Sequence, residues 1–220
     1  MTDSRNVRFA QSRVFFKSAA KDFKQTGAVA PSSRSLGRAM TSEMIQLYNW
    51  PAAVLEVGGG TGCITEVIAR GMNAGDHLDV FEIDPEFSRL LCRRVKDDPP
   101  FQHIRSSVRI LNQGIERIER QARYDFIISC LPFTNFQPDM VREILEIYRT
   151  ILNPGGVASF FEYILLREAG QLLRGAAERR RVAEVGRVVG EYVGRYGYRR
   201  NVVIFNIPPA MVHHLRFTAA

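Results

Sequence analysis

Short apolar stretches alternate with amphipathic stretches along the chain after residue 50. The short stretches predict buried strands, and the amphipathic ones predict helices between them. The predicted strands are Ala53–Val57, Leu78–Ile83, Val108–Asn112, Tyr124–Cys130, Val157–Ile164, Arg200–Asn206 and Val212–Phe217. The predicted helices are Thr61–Met72, Pro85–Lys96, Pro138–Leu152 and a long arginine-rich helix that ends before Arg200. Such alternation predicts an α/β fold in which helices cover both faces of a mostly parallel sheet.

The last two predicted strands are joined by only a few residues around Ile207-Pro208-Pro209. A parallel connection needs a crossover of about a dozen residues or more, usually with a helix. These two strands are therefore predicted to pair antiparallel.

The composition is that of one globular domain of 220 residues. No apolar run approaches the about 18 residues of a membrane span, and the polar start Met1–Asn6 is not followed by the apolar region of a signal peptide. Cys63, Cys92 and Cys130 lack metal-ligand spacing, which predicts reduced thiols in the cytoplasm. The formal net charge of +7 predicts an anionic partner, either a membrane surface or a nucleic acid.

A glycine-rich turn follows the first strand, with Glu56 two residues before Gly58 and further glycines at Gly60 and Gly62. Glycine lets a backbone turn sharply and approach a ligand closely. A dinucleotide fingerprint would need glycine at position 63, where this chain has Cys63. The spacing resembles the loop of class I S-adenosylmethionine (SAM) methyltransferases. That resemblance implies a Rossmann-like, seven-stranded, mostly parallel sheet with its last strand antiparallel, and SAM as the cofactor, with S-adenosylhomocysteine as product.

A second acidic residue is expected about twenty residues further on, where it holds the ribose hydroxyls, and Glu82 at the tip of the second strand fits. After the third strand most relatives have an Asp that contacts the adenine, whereas this chain has Gln113-Gly114. Gln113 or a backbone carbonyl is expected to take its place. The cofactor-binding residues implied are Glu56, Gly58, Gly59, Gly60, Gly62, Glu82, Ile83, Gln113, Gly114, Cys130, Ser32 and Ser33.

Four further segments narrow the family. Lys24–Arg34 contains Gly-Ala-Val-Ala-Pro-Ser-Ser, Ser129–Phe133 ends the fourth strand, Pro154–Tyr163 leads through the fifth, and Asn206–Val212 contains Pro-Pro-Ala. Together they resemble the bacterial phospholipid N-methyltransferases and the related methyltransferases of aminolipids such as ornithine lipids. The resemblance covers nearly the whole chain.

The Cys130-Leu131-Pro132-Phe133 turn is also similar to a motif of the related rRNA adenine dimethyltransferases. The resemblance implies that the Cys130 and Leu131 carbonyls orient the amine and that Phe133 packs over the cationic centre. The RNA enzymes usually have Asn or Asp in place of Cys130 and an additional helical domain. Both departures disfavour an RNA substrate.

An amine substrate must lose a proton, since its pKa is near 10 in water. Tyr163, Glu162 and Tyr48 are the candidates for binding or deprotonating it, with Tyr163 first because it stands at the end of the fifth strand. Strand alternation places Glu162 and Tyr163 on opposite faces, so only one is expected to point at the site. His213 and His214 in the last strand are expected to lie far from it.

Residues 8–24 have helical periodicity, with an apolar stripe and a basic flank. Such a helix suits the interface of an anionic bilayer; the alternative is a helix whose phenylalanines pack on the sheet. The resemblance to lipid enzymes favours the membrane. The stripe comprises Phe9, Phe16, Ala20 and Phe23, and the flank comprises Arg13, Lys17, Lys21 and Lys24.

These features predict a SAM-dependent N-methyltransferase that acts on an aminolipid headgroup, either phosphatidylethanolamine and its methylated forms or ornithine lipid. We expect a metal-free monomer without a nucleic-acid partner, peripheral on the inner face of the cytoplasmic membrane. Residues 1–50 are expected to form helices that contact the membrane, cap the substrate and close over SAM, and residues 51–220 to form the core of one structural domain. An rRNA adenine N6-methyltransferase and a non-catalytic SAM-binding protein remain the alternatives.

Overall fold

The computed structural model describes residues 33–47, 51–164 and 175–217. The strands in these ranges are β1 (Ala53–Val57), β2 (His77–Phe81), β3 (Val108–Leu111), β4 (Tyr124–Ser129), β5 (Leu152–Tyr163), β6 (Gly197–Val203) and β7 (Ala210–Leu215). The α-helices there are α1 (Arg34–Met40), α2 (Ser42–Gln46), α3 (Cys63–Gly71), α4 (Pro85–Asp97), α5 (Pro138–Ile151) and α6 (Ala176–Tyr196). Short 3-10 helices span Pro99–Phe101, Arg105–Ser107, Ile115–Arg117 and Phe133–Asn135.

The seven strands form one sheet in the order β3-β2-β1-β4-β5-β7-β6. Strands β1 to β5 pair parallel, whereas β7 pairs antiparallel with both β5 and β6. The predicted mostly parallel sheet with an antiparallel last strand is therefore confirmed. Because β7 is antiparallel to both neighbours, β6 runs in the same direction as β1 to β5. The carboxyl ends of these six strands lie at one edge of the sheet, called here the carboxyl edge.

Successive side chains along each strand point to opposite faces of the sheet, so the core is divided into two clusters, one on each face. On β1, Leu55 and Val57 belong to a buried cluster that includes residues of α5 and α6. Val54, on the other face, belongs to a cluster that includes residues of α1, α3 and α4. Fully burying one such side chain contributes roughly 1.5–3 kcal/mol, so both helical layers hold the strand ends in place.

Strand β5 begins earlier than the sequence predicts. Leu152 already pairs with Tyr124, and pairing resumes between Val157 and Phe126. The Asn-Pro-Gly-Gly sequence between these pairs forms an irregularity in the strand, with Gly155 at a φ of +82°. A positive φ favours glycine, so the turn signal in the sequence marks a bulge inside the strand and not its start.

Strand β6 lies three residues earlier than predicted, because Ile204 and Phe205 have the composition of a strand but belong to the turn that follows it. Asn206, predicted as the end of the strand, is buried in that connection. Its Oδ1 accepts a hydrogen bond from the Ser33 backbone N–H at 3.1 Å. The connection between β6 and β7 is therefore held against the start of α1.

None of the helices in the three described ranges is long and apolar enough to cross a membrane. The amphipathic helix predicted over residues 8–24 lies outside the described residues, so its role stays a prediction. Its residues are Phe9, Arg13, Phe16, Lys17, Ala20, Lys21, Phe23 and Lys24.

Candidate active site

Three glycines shape the turn between β1 and α3. Gly58, Gly60 and Gly62 have φ values of +82°, +53° and +84°, a region that favours glycine over other residues. A Cβ at Gly58 would lie 3.2 Å from Cδ2 of Leu131, whereas a Cβ at Gly60 would meet nothing within 4 Å. The turn therefore leaves open space beside Gly60.

Glu82 follows β2, and its carboxylate lies beside this turn. One oxygen accepts a hydrogen bond from the Gly60 N–H at 2.7 Å, and the other accepts from the Asp84 N–H at 2.8 Å. Burial raises the pKa of Glu82, while these N–H groups oppose the rise. Nδ2 of Asn112 donates to the Glu82 and Ile83 carbonyls at 2.8 and 3.2 Å. Asn112 is not among the predicted site residues, although a polar residue directly after a strand is a usable signal.

A cleft opens at the carboxyl edge between the glycine turn and the ends of β2, β3 and β4. Its surface is mostly apolar, with Glu82 and Gln113 as polar side chains. The lining residues are Val57, Gly58, Gly60, Phe81, Glu82, Ile83, Phe87, Gln113, Gly114, Ile115, Cys130, Leu131, Pro132 and Phe136. The predicted site residues among them are Gly58, Gly60, Glu82, Ile83, Gln113, Gly114, Cys130 and Leu131.

Three other predicted cofactor residues have structural surroundings outside this lining. A Cβ at Gly59 would lie 2.6 Å from Cγ1 of Val80, so this glycine allows close packing of the turn on the sheet. A Cβ at Gly62 would lie 2.8 Å from Nη1 of Arg94 on α4. The Ser33 hydroxyl caps the N-terminus of α1. Ser32 and Tyr48, also predicted for the site, lie outside the described residues.

Glu56 is fully buried on the face of β1 that carries α3, outside the cleft lining. The Sγ atom of Cys130 lies 4.0 Å from its Oε1, and among the described residues its Oε2 has no hydrogen-bond partner. Burial raises the pKa of Glu56 to about 8; the Thr65 hydroxyl opposes the rise and the charge of Glu82 adds to it. A buried carboxyl oxygen without a partner is costly and fits a site that a ligand completes.

The end of β4 is fixed by two buried hydrogen bonds. The Tyr148 hydroxyl of α5 donates to Oγ of Ser129 at 2.8 Å. The next N–H, of Cys130, donates to the Val57 carbonyl at 2.8 Å. These bonds hold the Leu-Pro-Phe turn against the glycine turn of β1.

The aromatic ring that the turn after β4 presents to the cleft is Phe136 and not the expected Phe133. Phe133 is buried against Phe160, with 5.2 Å between ring centroids, and lies outside the cleft lining. Phe136, three residues later, lines the cleft. The Leu131 carbonyl accepts a hydrogen bond from the Phe133 N–H at 3.0 Å within the turn, while the Cys130 carbonyl oxygen would lie 3.7 Å from a Cβ at Gly58. The ring that this turn presents to the cleft is therefore Phe136, and the Cys130 carbonyl lies beside Gly58.

Glu162 and Tyr163 lie on opposite faces of β5, as alternation predicts. The Tyr163 ring packs edge to face on Phe161, with 5.1 Å between the ring centroids. Burial raises the pKa of Tyr163 to about 12, so its hydroxyl keeps its proton near neutral pH. Tyr163 is therefore suited to donate a hydrogen bond and unsuited to act as a base.

On the other face, Oε2 of Glu162 lies 3.2 Å from Nε2 of His213. The His213 ring also packs on Phe160 at 5.2 Å, next to Phe133. His213 reaches the candidate Glu162 because the antiparallel register pairs Phe160 with His213, and neither His213 nor Glu162 lines the cleft. His214 does lie in the core, where Nδ1 is 2.8 Å from Oγ of Ser159 and burial lowers its pKa to about 4.

The residues present fit SAM. The space beside Gly60 admits a ligand close to the backbone, the Glu82 carboxylate can accept from ribose hydroxyls, and the Gln113 amide can meet a polar ring edge. Glu56, also predicted to bind the cofactor, is fully buried outside the cleft lining. In the part of the chain that the structure describes, no cluster of three or more His, Cys, Asp or Glu residues is arranged to hold a metal.

Comparison with known proteins identifies a methyltransferase domain, in agreement with a cleft that fits SAM. The methyltransferase domain family matches residues 54–156, from β1 to the bulge in β5. The ornithine lipid N-methyltransferase of Singulisphaera acidiphila is 34% identical over 149 residues, which cover 64% of this chain and 74% of that protein.

Solved structures share the fold at low sequence identity. The O-methyltransferase from Bacillus cereus in complex with SAH has a TM-score of 0.65 and 13% identity, covering 92% of this chain and 90% of that one. The O-methyltransferase TomG from Streptomyces achromogenes, in complex with SAM, has a TM-score of 0.63 and 16% identity, covering 93% and 90%. These likenesses show the fold, and the protein is an enzyme of the SAM-dependent methyltransferase class.

Proposed function

The chain belongs to the family of SAM-dependent methyltransferases that includes the ornithine lipid N-methyltransferase, and from this membership we propose that it transfers methyl groups to the amino headgroup of a membrane lipid. The proposed acceptors are ornithine lipid, or phosphatidylethanolamine and its methylated forms. The observation that carries the proposal is the match to the lipid enzyme. This match extends over 149 residues and so includes more of the chain than the general methyltransferase domain, which spans residues 54–156.

In the proposed reaction SAM supplies a methyl group that is already activated. The protein has to align a neutral amine with it and exclude water. Glu82 and the backbone around Gly60 hold the ribose end, and Gln113 replaces the usual acidic residue at the adenine end. The Cys130 carbonyl accepts a hydrogen bond from the amine, while Phe136 covers the charge that develops on nitrogen.

The amine has to lose a proton before it attacks. An apolar cleft helps because desolvation disfavours the charged form and lowers the pKa of the amine. Tyr163 keeps its own proton, so it does not accept the proton of the amine. We propose Glu162, held by His213 at 3.2 Å, as the group that accepts the proton.

The test is methyl transfer from radiolabelled SAM by the purified full chain. Vesicles of total bacterial lipid and undermethylated ribosomal RNA are offered in parallel, and chromatography of the labelled lipid names the headgroup. Label is expected in the lipid fraction. The control is Gly60→Val, whose side chain would enter the open space at a strained φ of +53°. Label only in RNA, or in neither substrate, contradicts the proposal.

The lipid substrate requires access to a bilayer. We propose that the protein is peripheral on the inner face of the cytoplasmic membrane. The support is the basic amphipathic sequence of residues 8–24 together with the formal net charge of +7.

A further inference from the structure

Large apolar side chains are exposed together at the connection between β6 and β7. Val202, Ile204, Phe205 and Ile207 are 58%, 65%, 81% and 78% exposed. We call these four residues the apolar tip. Single exposed apolar residues are common on protein surfaces, but a contiguous exposed group marks an interaction site.

The tip is held in a defined conformation by its own connection. Asn206, within the tip, is buried and donates from Nδ2 to the Pro208 carbonyl at 2.8 Å. Its Oδ1 accepts from the Ser33 N–H at 3.1 Å, and the Pro209 carbonyl accepts from the Ile164 N–H at 2.9 Å. The backbone is thus anchored to α1 and to the end of β5, while the apolar side chains point outward.

The tip lies at the same edge of the sheet as the cleft. Strand β6 runs parallel to β1–β5, so its carboxyl end, where the tip begins, is at the carboxyl edge. The register places Glu162 opposite Met211 and Met211 opposite Val202. A surface that contacts the tip would therefore also approach Glu162 and Tyr163.

The charged residues of the chain segment that carries the tip are of one sign. From residue 192 to residue 220 the sequence contains four arginines and no aspartate or glutamate. Arg200 is exposed and stands two residues before Val202, on the same face of β6. Arginine next to exposed aliphatic and aromatic side chains matches the interface of an anionic bilayer, where apolar groups enter the acyl region and cations meet the lipid phosphates.

We infer that the apolar tip inserts into the interface of an anionic lipid bilayer and holds the carboxyl edge, with the cleft, against the headgroups. This inference rests on the proposed function only for the biological purpose of the membrane contact. The contact itself can form without methyl transfer. It is a second membrane contact, separate from residues 8–24.

Insertion can be measured with one reporter tryptophan. Phe205→Trp is made in a Trp50→Phe background, since Trp50 is the single tryptophan of the chain. Vesicles of phosphatidylcholine and phosphatidylglycerol, which lack an amino acceptor of the proposed kind, are added. A blue shift of emission and quenching by brominated lipid are expected.

The matched control is Ile45→Trp in the same background. Ile45 is 53% exposed but lies beside Gly71, at the end of α3. Helix α3 starts at the carboxyl edge, so its end lies toward the opposite edge, and no shift is expected there. Emission from position 205 that stays water-like with vesicles, or is already blue-shifted without them, overturns the inference; the second result would mean that protein covers the tip.

The double variant Phe205→Ser/Ile207→Ser tests whether the apolar tip contributes to vesicle binding. Its apparent affinity for these vesicles is expected to fall about tenfold or more, since burying each side chain accounts for roughly that factor. Ile45→Ser should bind as the wild type does. Vesicle binding by the double variant equal to that of the wild type overturns the inference, as does a change in oligomeric state.

Activity separates this inference from the proposed function. The double variant should methylate a dispersed short-chain aminolipid at the wild-type rate and the same headgroup in vesicles more slowly. If neither protein methylates any lipid while the tryptophan and binding results hold, the docking surface stands and the proposed function fails.

Discussion

At the scale of single residues, Glu56 is a carboxyl group that the fold removes from water. It is fully buried, one of its oxygens has no partner among the described residues, and burial raises its pKa to about 8 from 4.5. The folded protein therefore holds this proton at a pH where the unfolded chain has released it. The contribution of Glu56 to the free energy of unfolding therefore falls as the pH rises between these two values.

We predict that Glu56→Gln removes this pH dependence. The ligand-free variant should become more stable than the wild type as the pH rises from 4.5 to about 8. The difference should reach on the order of a few kcal/mol, because one pKa unit corresponds to about 1.4 kcal/mol. Urea unfolding across this range measures it. Glu143→Gln, on the exposed side of α5, is the control for charge, and a constant difference between wild type and Glu56→Gln would contradict the assignment.

The acidic residue and the glycines of the cleft show what a residue pattern predicts. Gly58, Gly60 and Glu82 meet as their spacing predicts, since the ends of adjacent parallel strands are neighbours. Phe136 was missed because nothing local distinguishes it from Phe133. Both rings are buried in the same hydrophobic cluster, and Phe136 borders the cleft while Phe133 packs on Phe160.

At the scale of elements, the end of β4 depends on α5. The hydrogen bond from Tyr148 to Ser129 is buried at 2.8 Å and lies one residue before Cys130. We predict that Tyr148→Phe lowers the free energy of unfolding by about 1–2 kcal/mol, since the Ser129 hydroxyl is left without this donor. Urea unfolding gives the value.

A double-mutant cycle with Ser129→Ala separates this hydrogen bond from general packing. The second change should cost less in the Tyr148→Phe background than in the wild type, since the bond is already lost. Strictly additive losses would show that the bond contributes nothing.

The element boundaries show where local pattern fails. Strand β6 was placed too late because Ile204 and Phe205 resemble strand residues. Their exposure in the turn conflicts with a packing role and agrees with the membrane contact inferred for the apolar tip. A departure from the local rule here coincides with a candidate functional surface.

At the scale of the whole molecule, the proposal requires contact with an anionic surface. We predict that a triple variant, with Phe9 and Phe16 replaced by Ser and Lys17 by Gln, reduces flotation with anionic vesicles by tenfold or more. Each lost charge removes roughly 1 kcal/mol of membrane-binding free energy, and each lost ring removes more. SAM affinity measured by calorimetry on the same variant checks that the fold is intact. Undiminished flotation would mean that residues 8–24 are not a membrane contact.

Patterns along the sequence are enough to predict the fold class, the glycine turn and the order of strands and helices. These depend on local rules: the period of apolar positions, the positive φ that only glycine adopts easily, and the separation of residues along parallel strands. The antiparallel end of the sheet followed from the short link between the last two strands. Such features need no knowledge of distant contacts.

Contacts between side chains that are distant in sequence become visible only in the folded molecule. The contact of His213 with Glu162 arises from the β5/β7 register, and the anchoring of the apolar tip by Asn206 arises from its contact with Ser33, 173 positions away. The unpartnered oxygen of Glu56 is visible only once every neighbour is in place. Each depends on packing between elements distant in sequence, which no local pattern encodes.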